Sequence, residues 1–193
     1  MTYLSYSMII RTRPHAASLS ISNERLIWLL VGEVSLVRSD ELLKIRLIAD
    51  YQFGRGMGRL LFPDDVTVTH SRTGRIRQIF EGGKRLATLR ARDGMLTLSI
   101  RGAVKLHTST PYPRLRVVAS GEAAPFVAEG RTLFAKHVID VDPEIRSGEE
   151  VLIVNESDDL LGVGRALLAP AEMLSAMRGV GVETRSGVGK IEE

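Results

Sequence analysis

The first half of the chain spaces its apolar residues as helices do and then changes to alternation. Residues 22–31 predict a helix that Ser22 or Asn23 can cap. A second helix is predicted from Ser39, because acidic residues fill its first turn and apolar residues form a broad face over 42–49. Further along, the period becomes two, which predicts strands at 66–69, 75–80, 85–90 and 95–100. Two helices followed by a β-meander predict an α+β fold.

The second half predicts a small mixed barrel. Its pattern predicts a strand, a helix, three strands, a helix and a strand, at 115–119, 123–129, 132–141, 151–155, 160–168, 170–177 and 179–185. Gly162 and Gly164 stand inside one of these strands and indicate bends or a close backbone approach. Two prolines within residues 110–113 disfavour helix before them, which predicts a linker. The predicted organisation is a segment 1–21 whose order the pattern does not decide, a domain over 22–110 and a domain over 114–186.

The composition excludes several classes of protein. The 193 residues contain no cysteine, so disulfides, thiolate metal sites and a cysteine nucleophile are excluded. The four histidines lack zinc-ligand spacing, and no serine, histidine or carboxylate set has the pattern of a catalytic site. We therefore predict no catalytic residue, no metal and no cofactor. No apolar run reaches the ~18 residues of a bilayer span, so we expect a cytoplasmic protein without a membrane partner.

The charge is distributed unevenly along the chain. Residues 1–110 carry 17 basic and 9 acidic side chains, whereas residues 111–193 carry 9 basic and 14 acidic ones. Residues 55–105 alone hold 11 basic and 4 acidic side chains. Of the 26 basic residues 21 are arginine, which suits bidentate phosphate recognition. The asymmetry indicates either an anionic partner for the first half or a solvated basic surface, and it does not decide between the two.

Two motifs in the basic half concern phosphate. Gly54, Gly56 and Gly58 form a glycine-rich loop flanked by Arg55 and Arg59. Such a loop either offers backbone N–H groups to an anion or connects two elements that need glycine geometry, and the spacing is not that of a dinucleotide site. The second motif is a hairpin turn and strand that carry Arg72, Arg75 and Arg77. Arg75 and Arg77 project from the same face if the strand is regular. This face can neutralise several phosphates.

Several strings resemble a known family, the C-terminal extension of archaeal, archaeosine-type tRNA-guanine transglycosylases. The strings are DYQFGRGMGRLLF at 50–62, SRTGRIRQ at 71–78, ATLR at 87–90, DGMLTL at 93–98 and APFVAEGRTLFAKHV at 124–138. The last of these, with the strands after it, looks like a PUA domain. The resemblance covers about residues 22–186, and DYQFG and PFVAEG-x-x-x-FAK are its specific parts.

The resemblance implies an α+β pre-PUA domain followed by a PUA β-pseudo-barrel. In the full-length enzymes this extension grips tRNA, with the PUA domain near the acceptor stem and the 3′ end. Their catalytic barrel, which carries an aspartate nucleophile and a zinc site, lies outside the resemblance. We therefore expect RNA binding without autonomous enzyme activity. The expected RNA-binding residues, from the arginine motifs and the resemblance together, are Arg55, Arg59, Arg72, Arg75, Arg77, Gly130, Arg131, Lys136, Arg165, Arg178 and Arg185.

Three functions remain open at the level of sequence. The favoured one is a non-catalytic protein that recognises structured RNA, in particular tRNA, by shape and phosphate contacts. The second is the RNA-binding subunit of a split tRNA-guanine transglycosylase, whose catalytic chain would be a separate protein. The third is a translation or ribosome-biogenesis factor, with the ribosome as its partner.

Overall fold

The structure, a computed structural model, describes residues 34–189. The N-terminal part of this range forms a five-stranded antiparallel sheet whose neighbours follow chain order: β1 Val34–Leu36, β2 Thr67–His70, β3 Ile76–Glu81, β4 Lys84–Leu89 and β5 Leu96–Leu98. The helices of this part are α1 Ser39–Phe53, α2 Met57–Leu61 and α3 Ile100–Ser109. The helix predicted over 22–31 and the segment 1–21 lie outside the described residues.

The first helix, α1, forms where its pattern predicts. Asp40 and Glu41 occupy its first turn, where negative charge favours the helix dipole. Its buried apolar residues, three or four positions apart, form one face that packs into the core of the sheet: Leu42, Ile45, Ala49 and Phe53. The chain leaves the helix at Gly54, whose φ of 108° few other residues adopt.

The helix α3 and the short elements β1 and α2 are absent from the sequence prediction. α3 begins directly after β5, where the alternating pattern predicts a longer strand. The Ser99 hydroxyl caps it by accepting a hydrogen bond from the Gly102 amide at 3.3 Å. Gly102 lowers the intrinsic helix propensity, yet it lets the helix approach the backbone of Leu86. Burial of Ala103 and Leu106 then stabilises a helix that local propensity does not signal.

The C-terminal part forms a six-stranded sheet in the order β7-β11-β10-β9-β6-β8. Its strands are β6 Arg116–Ala119, β7 Leu133–Phe134, β8 Val138–Val141, β9 Glu150–Val154, β10 Leu160–Ala166 and β11 Val180–Gly187. β6 and β9 are parallel, and the other pairs are antiparallel. Two short helices, α4 Ala124–Ala128 and α5 Pro170–Ser175, complete this part. The predicted alternation of strands and helices is present, with one correction.

The correction concerns the single long strand predicted over 132–141, which is wrong. The chain there consists of β7, a 3-10 turn at Ala135–His137 and β8. β7 pairs with β11 at one edge of the sheet, whereas β8 pairs with β6 at the other edge. One straight strand cannot pair at both edges, so the chain turns between them, and this turn nearly closes the sheet into a barrel. The bends predicted at Gly162 and Gly164 coincide with two register shifts of β10.

The two sheets are joined through one buried arginine. Arg116 is 2% exposed and lies at the start of β6. One of its terminal nitrogens donates to the Thr110 hydroxyl at 2.7 Å and to the Arg114 carbonyl at 2.8 Å, and the other donates to the His107 carbonyl at 2.9 Å. Its Nε donates to the carboxylate of Asp158 at 3.0 Å. The guanidinium therefore ties the end of α3, the linker and the β9–β10 turn together.

Side chains also cover the outer edge of β5. The side-chain amide of Gln52 donates to the Leu96 carbonyl at 2.9 Å and accepts from the Leu96 amide at 2.8 Å. Two residues further along β5, the Leu98 amide donates to the carboxylate of Glu150, a residue of β9, at 3.0 Å. Glu150 is buried and also pairs with Arg185. The last strand of the first sheet thus ends against the second sheet with these backbone groups satisfied.

Replacing Arg116 by methionine should lower the free energy of unfolding by about 3–5 kcal/mol. The substitution keeps an unbranched apolar stem, but it removes the donor to the Thr110 hydroxyl and to the carbonyls of Arg114 and His107, and it leaves Asp158 with His107 alone. Arg114→Met is the matched control, because Arg114 is exposed and its guanidinium donates, among the described residues, to the Phe53 carbonyl alone, at 3.2 Å. We expect the control substitution to lower the free energy of unfolding by less than about 1 kcal/mol. Urea unfolding of the three proteins measures both, and equal losses would contradict the role of Arg116.

The stability contributed by Asp158 should disappear in acid. Burial raises the pKa of Asp158, but hydrogen bonds from Arg116 and His107, with their charges, outweigh burial and hold the pKa below its ordinary value of 3.8. A depressed pKa in the folded state gives stability that is present above the unfolded pKa and is lost as the pH falls through the folded one. Asp158→Asn should therefore destabilise at pH 7 and much less near pH 2, as urea unfolding at the two pH values will show. A pH-independent difference would contradict this account.

Candidate nucleic-acid interface

A basic groove opens between α1 and the β2–β3 and β4–β5 turns. It encloses about 760 Å³. We define it by six of its lining residues: Lys44, Ile48, Arg75, Arg77, Leu89 and Arg90. Arg75 directly precedes β3, and Arg77 lies within it. Both side chains are exposed, and Ile76 between them is buried. The predicted pair of arginines is therefore brought to one groove, together with a lysine from a helix 30 residues earlier.

The cations of this groove differ in what neutralises them. Among residues 34–189, no carboxylate lies within ion-pair distance of Lys44, Arg75 or Arg77. Arg90 has a partner, because its Nε lies 3.0 Å from the carboxylate of Asp93. A hydrogen bond from the Met95 amide, with the nearby arginines, holds the pKa of Asp93 below its ordinary range against partial burial. The groove therefore offers three uncompensated positive charges to an anion.

Lys44 and Arg90 are site residues that the sequence did not single out. The helical pattern directs Lys44 away from the apolar face of α1, and Arg90 is the last residue of the strand predicted over 85–90. Lys44 lies one helical turn before Ile48, so the two side chains are neighbours on the helix surface, and this spacing is the one local indication that Lys44 belongs to the groove. Arg72 lies at the exposed β2–β3 turn, next to the groove in sequence but outside its lining.

The glycine-rich loop has a structural explanation. The Asp50 carboxylate accepts a hydrogen bond from the Gly58 amide at 2.7 Å, and the Met57 amide donates to the Gly54 carbonyl at 3.1 Å. Gly56 has a φ of 91°, and a Cβ on Gly58 would overlap the backbone of Arg46. The loop therefore needs its glycines as a connector between α1 and α2, and two of its amides are already occupied. Arg55 and Arg59 expose their side chains beside it.

A second pocket lies in the C-terminal part, at the 3-10 turn. It encloses about 530 Å³ and is lined by Phe134, Lys136, His137, Met177, Arg178 and Gly179. Lys136 and Arg178, predicted from distant parts of the chain, meet here. The turn displays Lys136, and the Ala135 amide donates to the Gly179 carbonyl at 3.0 Å, which holds the two segments together. We call this group the C-terminal pocket.

Exposed apolar groups accompany the cations of the C-terminal pocket. Phe134 is 48% exposed and Met177 is 80% exposed. Nearby in sequence, Gly130 ends α4, and the Arg131 guanidinium lies 5.6 Å from the centroid of the exposed Phe126 ring. Arg131 also lies 3.5 Å from the carboxylate of Glu129. Cations beside exposed aromatic faces are the pair that stacks on unpaired bases and neutralises their phosphates.

Two predicted contacts, Arg165 and Arg185, lie outside both cavities and are paired within the protein. Arg165 donates to Glu183 on the neighbouring strand at 2.9 Å. Arg185 pairs with Glu150, whose burial raises its pKa against the opposing charge of Arg185. The sequence could not reveal these partners, because the order of the strands in the sheet decides that Glu183 lies beside Arg165 and that Glu150, two strands away, reaches Arg185. Their role in RNA binding stays a prediction.

The described residues also set limits on other chemistry. Within 34–189, no three histidine, aspartate or glutamate side chains are grouped to hold a metal ion. None of the helices in the same range combines the length and the apolar character that crossing a bilayer requires.

Two family models match consecutive parts of the chain. Residues 43–113 match the patch-forming domain C2 of tRNA-guanine transglycosylase, and residues 115–188 match the PUA domain. The basic groove lies in the first match and the C-terminal pocket in the second.

Curated relatives agree with these two models. The chain is 49% identical over 158 residues to the tRNA-guanine(15) transglycosylase of Methanothermobacter thermautotrophicus, and 50% identical over 151 residues to that of Pyrococcus furiosus. The matches cover 81% and 78% of this chain but 24% and 26% of the two relatives. The chain therefore spans about a quarter of the length of these relatives and corresponds to their C-terminal region.

Solved structures show the same fold. A hypothetical protein from Pyrococcus horikoshii aligns with a TM-score of 0.63 and 19% identity, over 80% of this chain and 94% of its own. A conserved PUA domain protein from Thermoplasma acidophilum aligns with a TM-score of 0.59 and 19% identity, over 82% and 96% of the two chains. The expected fold, an α+β domain followed by a PUA pseudo-barrel, is confirmed.

Proposed function

Since the chain is a C2 domain followed by a PUA domain, homologous to the C-terminal part of tRNA-guanine(15) transglycosylases, we propose that it binds structured RNA, and specifically tRNA. One observation carries the proposal. Each of the two domains presents a cavity with basic side chains, including the PUA domain, whose total charge is acidic. These surfaces belong to a chain that is 49% identical to part of a tRNA-modifying enzyme.

The C2 domain contributes contacts to the phosphate backbone in this proposal. Lys44, Arg75 and Arg77 line one groove, and arginine and lysine contacts to phosphate supply affinity without reading sequence. The exposed Arg55, Arg59 and Arg72 extend this surface beyond the groove. Recognition by this domain therefore depends on the shape of the RNA, which suits a structured molecule such as tRNA.

The PUA domain contributes contacts to an RNA end. Lys136 and Arg178 neutralise phosphates, while Phe134 and Met177 offer apolar surface to unpaired bases. Gly130 and Arg131 lie on the same helix–loop–strand segment and place a further cation beside it. We propose that these residues bind and position RNA and do not carry out base exchange, because the region of the relatives that they match is the C-terminal one.

Removing either set of cations should weaken tRNA binding and flatten its dependence on salt. The two variants are Arg75→Gln with Arg77→Gln, and Lys136→Gln with Arg178→Gln. Each lost phosphate contact should reduce the slope of log K against log salt concentration by about one. The measurement is the affinity for tRNA between about 50 and 200 mM salt.

Lys84→Gln with Arg146→Gln is the matched control. It removes the same charge from exposed positions outside the basic groove and the C-terminal pocket. We expect it to keep the slope of the unchanged protein. Unaltered slopes in both test variants would refute the site assignment, whereas an unchanged protein that does not bind tRNA would refute the function.

A second candidate function is RNA binding on behalf of a separate transglycosylase catalytic chain. The identity of 49–50% to the C-terminal region of tRNA-guanine(15) transglycosylases favours it. RNA crosslinking in the native cells, with an inventory of the bound proteins, separates the candidates. We expect tRNA in either case, and a transglycosylase barrel among the proteins only in the second. Ribosomal RNA with ribosomal proteins would contradict both and favour a translation or ribosome-biogenesis factor.

A further inference from the structure

The basic groove of the C2 domain has an apolar floor beneath its cations. Ile48 and Leu89 are partly buried hydrophobic residues that pack on the core and line the groove, and Ile76 between the two arginines is 8% exposed. A groove that met only the backbone of an RNA helix would have no use for such a floor, because phosphates and riboses are polar. Its content of apolar surface and positive charge requires a further explanation.

We infer that the basic groove binds one unpaired nucleotide, with the base on the apolar floor and the phosphate at the rim. The inference rests on the proposed function and assigns a ligand class to one of its surfaces. A nucleotide combines an apolar face with an anion, which is the combination that the groove presents. The volume of about 760 Å³ lies within the range of small-ligand pockets and exceeds what one phosphate needs.

The charges of the groove place the phosphate at one side. Lys44, Arg75 and Arg77 have no carboxylate partner in the described part of the chain. Arg90, by contrast, is paired with Asp93. The phosphate therefore binds toward Arg75, Arg77 and Lys44, and the base extends toward Leu89 and the β4–β5 turn. Ala91 lies at that turn, is exposed and lines the groove, so it marks the base end.

The first experiment compares a nucleotide with the same molecule lacking its base. Adenosine 5′-monophosphate and ribose 5-phosphate are titrated separately into the full chain, and backbone amide signals are followed by NMR. We expect shifts at residues 75–77 and 88–91 for both ligands, and about tenfold tighter binding of adenosine 5′-monophosphate. Equal affinities would show a phosphate-only site and overturn the inference, as would shifts confined to the C-terminal pocket.

The second experiment fills the base end of the groove. Ala91→Trp should abolish the tenfold preference while leaving ribose 5-phosphate binding unchanged. Thr108→Trp is the matched control, because Thr108 is exposed on α3 and does not line the groove. An Ala91→Trp protein that keeps the preference would refute the placement of the base.

Binding of tRNA is measured in parallel, so that the two failures are distinguishable. If the unchanged protein binds tRNA but not the base of adenosine 5′-monophosphate, only the nucleotide site is overturned. If it binds neither tRNA nor the nucleotide, the proposed function fails together with the inference that rests on it.

Discussion

The relative position of the two domains depends on the guanidinium of Arg116. It is buried, and its hydrogen bonds reach the carbonyl and hydroxyl groups that end α3, the linker and the carboxylate of the β9–β10 turn. A buried charge is stable only while all its partners stay in place, so these segments are fixed together. Around it, Leu152 and Val163 of the PUA domain join the core of the C2 domain. The basic groove and the C-terminal pocket therefore belong to two domains whose boundary is fixed by this guanidinium and by a shared apolar core.

Several acidic residues of the PUA domain have partners within the protein. Glu150 pairs with Arg185 and caps β5, Asp158 holds Arg116, and Glu183 pairs with Arg165. The carboxylate of Asp142 accepts from the Leu115 amide at 2.6 Å. Of the three arginines paired here, Arg116 is buried and the other two are partly exposed. Other acidic side chains of the domain, such as Glu144 and Glu172, are exposed. Net charge carries no information about position, so the acidic total of residues 111–193 does not reveal that Lys136 and Arg178 line one pocket.

Sequence patterns predicted the elements whose signal is local. The apolar face of α1, the strands of the β-meander and the bends in β10 all follow from residues close in the chain. α3 and the break between β7 and β8 did not, because tertiary burial and pairing at opposite sheet edges decide them. The same division holds for the candidate site. Arg75 and Arg77 are two residues apart in the sequence, so their proximity was predictable, whereas Lys44 joins them only through packing. The carboxylate that holds Arg165 comes from the neighbouring strand β11, and the one that holds Arg185 comes from β9, beyond β10.

The side chain of Gln52 makes the hydrogen bonds to β5 that a sixth strand of the sheet would otherwise make. Its amide satisfies both backbone groups of Leu96, and Glu150 satisfies the next outward amide at Leu98. Two of these three hydrogen bonds come from the C2 domain and one from the PUA domain. A C2 domain cut away at the linker would lose the part that Glu150 supplies and would offer an open strand edge to other chains, with the aggregation that such edges cause. The PUA domain thus protects a strand edge of the C2 domain, and the solubility of the C2 domain depends on a residue that lies outside it.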